Sequence, residues 1–122
     1  MIFGVRNEDG ERTFDLVMKG KKTVTRRLLN GRKYEVYGLY AVQSGRTRKS
    51  SGKIKILSRM LHKDWWQERV YPLSDKGKEY ILQNEAEREG FKSWDGLMNY
   101  FKENEIDPMD LIRYEFVLIC KY

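Results

Sequence analysis

The sequence predicts an α+β fold, one domain over residues 1–122 in which strands flank a pair of helices. Three observations predict it. Alternating apolar patterns occupy the first half and the final stretch "LIRYEFVLICKY", whereas capped helical patterns fall between Ser74 and Phe101. No strand–helix–strand rhythm and no internal repeat is present, so a small, mainly antiparallel sheet or barrel is expected. With 122 residues, 40% hydrophobic and 13% aromatic, the chain can bury one ordinary core.

The elements follow in order. "MIFGV" reads as a short strand. In "RTFDLVMKG", Phe14, Val17 and Met18 fall at i, i+3 and i+4, one face of a short helix. Gly20 suits the left-handed position just past its end, and Lys19 and Lys21 complement the helix dipole there. "KKTVTRR" therefore begins in a turn and continues as a strand, on which Thr23 and Thr25 share a face. "YEVYGLYAVQSG" reads as a strand broken at Gly38, and "GKIKIL" alternates as a second one, with the basic loop "SGRTRKSSG" joining them as a hairpin. "HKDWWQERVYPLS" is aromatic and irregular. Ser74 caps a helix running to about Glu89 and ended by Gly90, and Ser93 caps another with Trp94, Leu97, Met98 and Phe101 as its apolar stripe. Pro108 precedes the last strand, where Ile112, Tyr114, Phe116, Leu118 and Cys120 face one way and Arg113, Glu115 and Lys121 the other.

Charge narrows the partners. The net charge is +6, but residues 1–63 hold 16 Lys/Arg against 5 Asp/Glu, while residues 64–122 hold 8 against 13. A basic half folded into one domain gives a basic face, which attracts polyanions by counterion release. No basic amphipathic helix is present to meet lipid, and the longest apolar run, Phe116 to Cys120, has five residues against the roughly 20 that span a bilayer. RNA or a modified nucleoside is the expected partner, with DNA a second polyanion the same charge admits, and no membrane partner is expected. A single cysteine, no glycosylation sequon and an N-terminus without a signal peptide's apolar stretch make a cytoplasmic protein the expectation.

Several motifs fail on spacing. "GKKT" has Asp15 where a phosphate-binding loop needs its first glycine, and a second lysine separates Lys21 from Thr23. "GRTRKSSGK" puts six residues between Gly45 and Gly52, and Ile54 follows Lys53. A transition-metal centre needs more soft ligands than His62 and Cys120, which sit on different elements, so neither metal nor cofactor is expected. The lone His62, without a triad around it, reads as a surface residue.

Three stretches survive: "GKKTVTRR", the loop "GRTRKSSGK", and "EAEREGFKSW". Glu85, Glu87 and Glu89 lie in the last turn of their helix, where carboxylates oppose the dipole and Glu85 repels Glu89, each at a cost of a few tenths of a kcal/mol. Either solvation hides that cost, or one glutamate faces the basic strand across a cleft. With "GKKTVTRR" after a short helix, "EREGFKSW" downstream, "YAVQSGR…GKI" between and an apolar last strand, nearly the whole chain resembles the ASCH domain of the PUA-like superfamily. That resemblance implies a small, mainly antiparallel β-barrel with flanking helices, and a cleft, lined by both motifs, that binds or processes RNA. Some short members hydrolyse the amide of acetylated cytidine, and others are ribonucleases. By match to the amidohydrolase pattern, Lys22 takes the catalytic lysine, Thr25 the threonine and Glu89 the glutamate. The chain is longer than that compact branch and adds "WWQERVY" and the basic hairpin loop.

The chemistry stands beside the resemblance. A threonine hydroxyl becomes nucleophilic when a neighbour takes its proton, and a lysine can do so once its pKa is lowered by burial and by cations such as Lys21, Arg26 and Arg27. Glu89 acts in the opposite direction on that pKa and can shuttle a proton to a leaving nitrogen. Arg27 or a backbone N–H can stabilise an oxyanion. Lys21, Arg26, Arg27, Arg46, Arg48, Lys49 and Lys53 are the expected phosphate contacts. The same components equally suit an RNA-binding pocket without turnover, and the tryptophan-rich segment admits a protein–protein adaptor.

Overall fold

The computed structural model describes all 122 residues. Its longest strand, β4 (Leu111–Lys121), runs through the middle of a four-stranded antiparallel sheet. β1 (Val24–Leu28) pairs with one side of it, and β3 (Gly52–Leu61) with the other. β2 (Leu39–Val42) forms the outer strand of a hairpin with β3, closed by the basic loop as the sequence predicts. The order is therefore β1-β4-β3-β2, and both β1 and β2 are edges. The sheet is open, not a closed barrel. The first residues do not supply the missing staves: "MIFGV" contributes a single parallel bridge, Ile2 to Gln43, at the end of β2. Between that segment and β1 the connection is a side chain, with Arg27 Nη2 donating to the Ile2 carbonyl at 2.7 Å.

Helices pack on and around this sheet. α1 (Thr13–Met18) turns Leu16 and Val17 inward, with Phe14 and Met18 against the main core. It stops where expected, at Gly20 with φ +73°. Ser74 caps α3 (Asp75–Arg88) by accepting from the Gly77 amide, and Ser93 caps α4 (Trp94–Glu103) by accepting from Gly96. The "HKDWWQERV" stretch is more regular than predicted: α2 (His62–Trp65) continues into a π-helical turn over Trp66–Val70. The wider turn sets Val70 fully inside and leaves Trp66 half-buried beside Trp94, with ring centroids 6.1 Å apart. No helix is long and apolar enough to cross a membrane.

Apolar burial falls into two clusters. The larger one gathers Phe3, Val17, Val42, Ile54, Ile56, Ile112, Tyr114 and Phe116 on the inner face of the sheet. The smaller one is Phe91, Leu97, Phe101 and Leu111, where α4 meets the start of β4. The inward side chains of β4 match the predicted alternation as far as Leu118, but Cys120 is exposed because the strand runs past the core. Arg113, on the other face as predicted, is nonetheless 6% exposed, because Glu85 of α3 and Trp65 of α2 meet it there.

Candidate functional site

A turn, a strand and the end of a helix converge at the β1 edge of the sheet. The amides of Lys21 and Lys22 both donate to the Leu16 carbonyl, closing α1 and turning the Lys22 side chain inward. The Thr23 amide donates to the Arg88 carbonyl at 2.9 Å, which fastens the turn to the C-terminus of α3. Gly90, at φ +92°, ends that helix beside it, and a Cβ there would press on Thr13 and Leu16 at 3.2 Å. The local signals of the sequence thus place Lys22 and Glu89 against one another.

The Lys22 ammonium is 4% exposed and has three acceptors: the Val24 carbonyl at 2.7 Å, the Glu89 carbonyl at 2.6 Å and Glu89 Oε1 at 3.2 Å. Its pKa falls to about 8, because burial penalises the charge more than Glu89 favours it, with Arg27 and Arg26 adding repulsion. The other carboxylate oxygen, Glu89 Oε2, accepts from Arg26 Nη1 at 2.7 Å. Arg26 is fully buried and its remaining contacts are Glu85 Oε2 at 2.8 Å and His62 Nδ1 at 2.9 Å. Glu85 in turn receives Arg113, whose Nη2 lies 3.0 Å from Oε1. Both Arg26 and Arg113 lie against the face of Trp65, 4.7 and 5.6 Å from its centroid.

Lys22, Arg26 and Arg113 with Glu85 and Glu89 make a buried cluster of three cations and two carboxylates. Such a network is weak as a source of stability, because desolvation offsets most of the Coulombic gain. It does explain the two glutamates in the last turn of α3: their cost against the dipole is met by cations from β1 and β4. Glu87, the third, is exposed and accepts only from Gln83 at 3.1 Å.

His62 corrects the sequence reading. It is 2% exposed, not a surface residue, and because an arginine can only donate, its Nδ1 must be the unprotonated nitrogen. Burial and the neighbouring Arg26 charge lower its pKa to about 4. No spacing rule could reveal this, since the partner that holds it lies 36 positions away. Arg26 is likewise no phosphate contact: its guanidinium serves Glu85, Glu89 and His62 and meets no solvent.

Above the Lys22–Glu89 pair opens a cleft of about 600 Å³. Lys22, Thr25, Arg26, Arg27 and Glu89 contribute to its lining, and Phe3, Phe91, Tyr100 and Phe101 provide aromatic wall. Thr25 and Arg27, two apart on β1, share the strand face that carries their partners Tyr114 and Ile112. Thr23 lies outside the cleft lining, its hydroxyl accepting from Arg88 Nε at 3.1 Å. Arg27 has a buried Nε without any acceptor, and burial lowers its pKa. From the basic loop, Arg46 reaches the cleft, whereas Arg48, Lys49 and Lys53 are exposed outside it. Lys21 is exposed beside a separate groove with Arg88 and Lys92. Arg32, which belongs to none of the three sequence motifs, also lines the cleft.

No family model and no curated protein matches the chain. A crystal structure of a DUF984-family protein from Enterococcus faecalis is similar over 99% of this chain and 80% of that one, at 15% identity and a TM-score of 0.48.

Proposed function

We propose that this cleft recognises a modified nucleoside, free or within RNA, and hydrolyses an amide on its base, in the manner of the ASCH-type acetylcytidine amidohydrolases that the sequence resembles. The observation that carries the reading is the convergence of Lys22, Thr25 and Glu89 at one cleft, with the lysine buried and its pKa near 8. A volume of about 600 Å³ lies within the roughly 300–1,000 Å³ of small-molecule sites. Aromatic walls suit a planar base, and the unpartnered Arg27 Nε offers a donor to its carbonyl oxygen.

The reaction follows from those groups. In its neutral form Lys22 keeps its two N–H bonds to the Val24 and Glu89 carbonyls and gives up the one to Glu89 Oε1, and the reaction requires the amine to turn its lone pair from that carboxylate toward Thr25. Thr25 Oγ attacks the acyl carbon as its proton passes to Lys22, and the carbonyl π electrons move to oxygen, stabilised by Arg27. Collapse re-forms the carbonyl and breaks the C–N bond, and the departing nitrogen takes the proton back from the Lys22–Glu89 pair. Water then attacks the acyl-threonine by the same route and releases the carboxylic acid and the free hydroxyl.

One observation favours a second reading, an RNA-binding pocket without turnover. With Lys22 protonated, all three of its hydrogens are engaged, and none of those contacts is to Thr25. Acetate release from acetylcytidine, with RNA cleavage followed in parallel, separates the two. Hydrolysis requires that Thr25→Ala and Lys22→Ala each lose most turnover, and that the double variant lose little more, since members of one catalytic unit are non-additive. Turnover should rise with pH up to about 8 and level off above it, as the lysine base becomes neutral. Tight RNA binding by the wild-type protein with no turnover on either substrate would falsify hydrolysis and leave the binding pocket.

A further inference from the structure

The mouth of the cleft carries chemistry that its floor does not require. Arg32 stands in the turn after β1, its guanidinium stacked 5.1 Å from the Tyr34 centroid and 5.6 Å from that of Tyr40. Those two rings are themselves fixed, edge to face at 4.8 Å, with the Tyr40 hydroxyl accepting from the Glu35 amide and the Tyr114 hydroxyl accepting from the Tyr34 amide. Arg32 is thus positioned through its flat face while its N–H groups have no protein acceptor and its side chain no ion pair. Arg46 comes from a different element, the β2–β3 loop. The pairing of the Phe3 amide with the Gln43 carbonyl, 2.9 Å, brings the β2–β3 loop against the first residues of the chain, which form the adjoining wall. Arg46 is exposed, lines the same cleft and also lacks an ion pair.

Two exposed, unpaired guanidiniums at one mouth favour an anion with several oxygens, for which their forked donors are suited. Deeper on the same wall lies the buried Arg27 Nε without an acceptor. The cleft therefore combines exposed cations with buried aromatic surface and hydrogen-bonding groups, which suit the phosphate and the base of a nucleotide.

We infer that Arg32 and Arg46 form a phosphate subsite, so that the ligand of the cleft is a nucleotide rather than a free nucleoside. This rests on the nucleoside reading given above, but not on hydrolysis. The shared chemistry is a phosphate attached to the ribose of the bound base, supplied by a free nucleoside monophosphate or by an RNA chain.

Calorimetric titration of cytidine, cytidine 5′-monophosphate and a short cytidine-containing RNA into the wild-type protein, Arg32→Ala/Arg46→Ala and Lys76→Ala tests it. The monophosphate should bind at least about tenfold more tightly than cytidine, or about 1.4 kcal/mol. The double variant should bring that ratio close to one, while Lys76→Ala, which removes an exposed cation from the start of α3, should preserve it. RNA binding more tightly than the monophosphate assigns the phosphate to a chain, and the reverse ranking assigns it to a free nucleotide; the subsite stands in both cases. A wild-type ratio near one, a ratio that the double variant leaves intact, or no binding of either small ligand overturns the inference. Absence of acetate release with the ratio retained removes hydrolysis alone, and turnover of acetylcytidine with a ratio near one removes the subsite alone.

Discussion

His62 is the residue whose behaviour most directly tests the buried cluster. Its neutral imidazole accepts from Arg26 through Nδ1, and Arg26 holds the Glu89 oxygen that lies opposite the one facing Lys22. The chain has one histidine, so its imidazole resonances are unambiguous. They should show the tautomer protonated at Nε2 and a titration midpoint near 4, not 6.5. The sign for stability follows: a folded pKa below the unfolded one means that the unfolded chain binds the extra proton between about 6.5 and 4. The contribution is complete above about pH 6.5 and is lost as the pH falls toward 4. A nuclear magnetic resonance titration with a midpoint at 6.5 would remove His62 from the cluster. At this scale the sequence was legible where chemistry is local. Gly20, Gly90 and the caps Ser74 and Ser93 act on their immediate neighbours, and each is where the pattern puts it. His62, Arg26 and Arg113 owe their burial to partners far along the chain, which composition and spacing do not encode.

Between elements, the cluster is the joint that fastens α3 to β1 and β4, and Trp65 from α2 seals it. Trp65 is 5% exposed and lies against both Arg26 and Arg113, whereas Trp66 is half-buried. Trp65→Ala should therefore cost about 3–5 kcal/mol, the range for deleting a large core ring, and Trp66→Ala distinctly less. Equal losses in urea unfolding would mean that the π-helical turn does not discriminate the two rings. Glu85→Ala should be comparably damaging, about 3–5 kcal/mol, because it leaves Arg26 and Arg113 buried without their shared carboxylate. A denaturation midpoint unmoved by that change would show the ion pairs to be solvated in solution. The sequence exposes part of this joint. Two glutamates set against their own helix dipole are an anomaly that can be read without a structure, and the demand for compensating cations follows from it. Which cations answer is not readable, because strand register decides it: Arg26 pairs with Arg113 across β1 and β4, and both then face α3.

For the molecule as a whole, the basic first half does not translate into an equally basic surface. Lys22 and Arg26 are internal, so the outward field of that half is made by exposed residues such as Lys21, Arg32, Arg46, Arg48, Lys49 and Lys53. The open sheet divides these further. Its edge at β1 carries the cleft with Arg32 and Arg46 at the mouth, while Arg48, Lys49 and Lys53 extend the field along the β2–β3 hairpin beyond it. An RNA strand whose base enters the cleft would then run its backbone over the hairpin loop. Each phosphate neutralised there releases counterions, and on single strands each contact contributes roughly 0.7 to the slope of log affinity against log salt. Arg48→Ala/Lys49→Ala should consequently flatten that slope by about 1.4, and weaken binding by a similar factor whatever the RNA sequence. Arg26→Ala should act differently, lowering the unfolding midpoint through the unpaired Glu85 and Glu89 instead of changing the salt response of folded protein. Fluorescence anisotropy with two unrelated single-stranded RNAs at several salt concentrations reads the slopes, and urea unfolding reads the Arg26→Ala midpoint. Superimposable slopes for wild type and the Arg48/Lys49 variant would take the hairpin out of the RNA path and confine recognition to the cleft and its mouth.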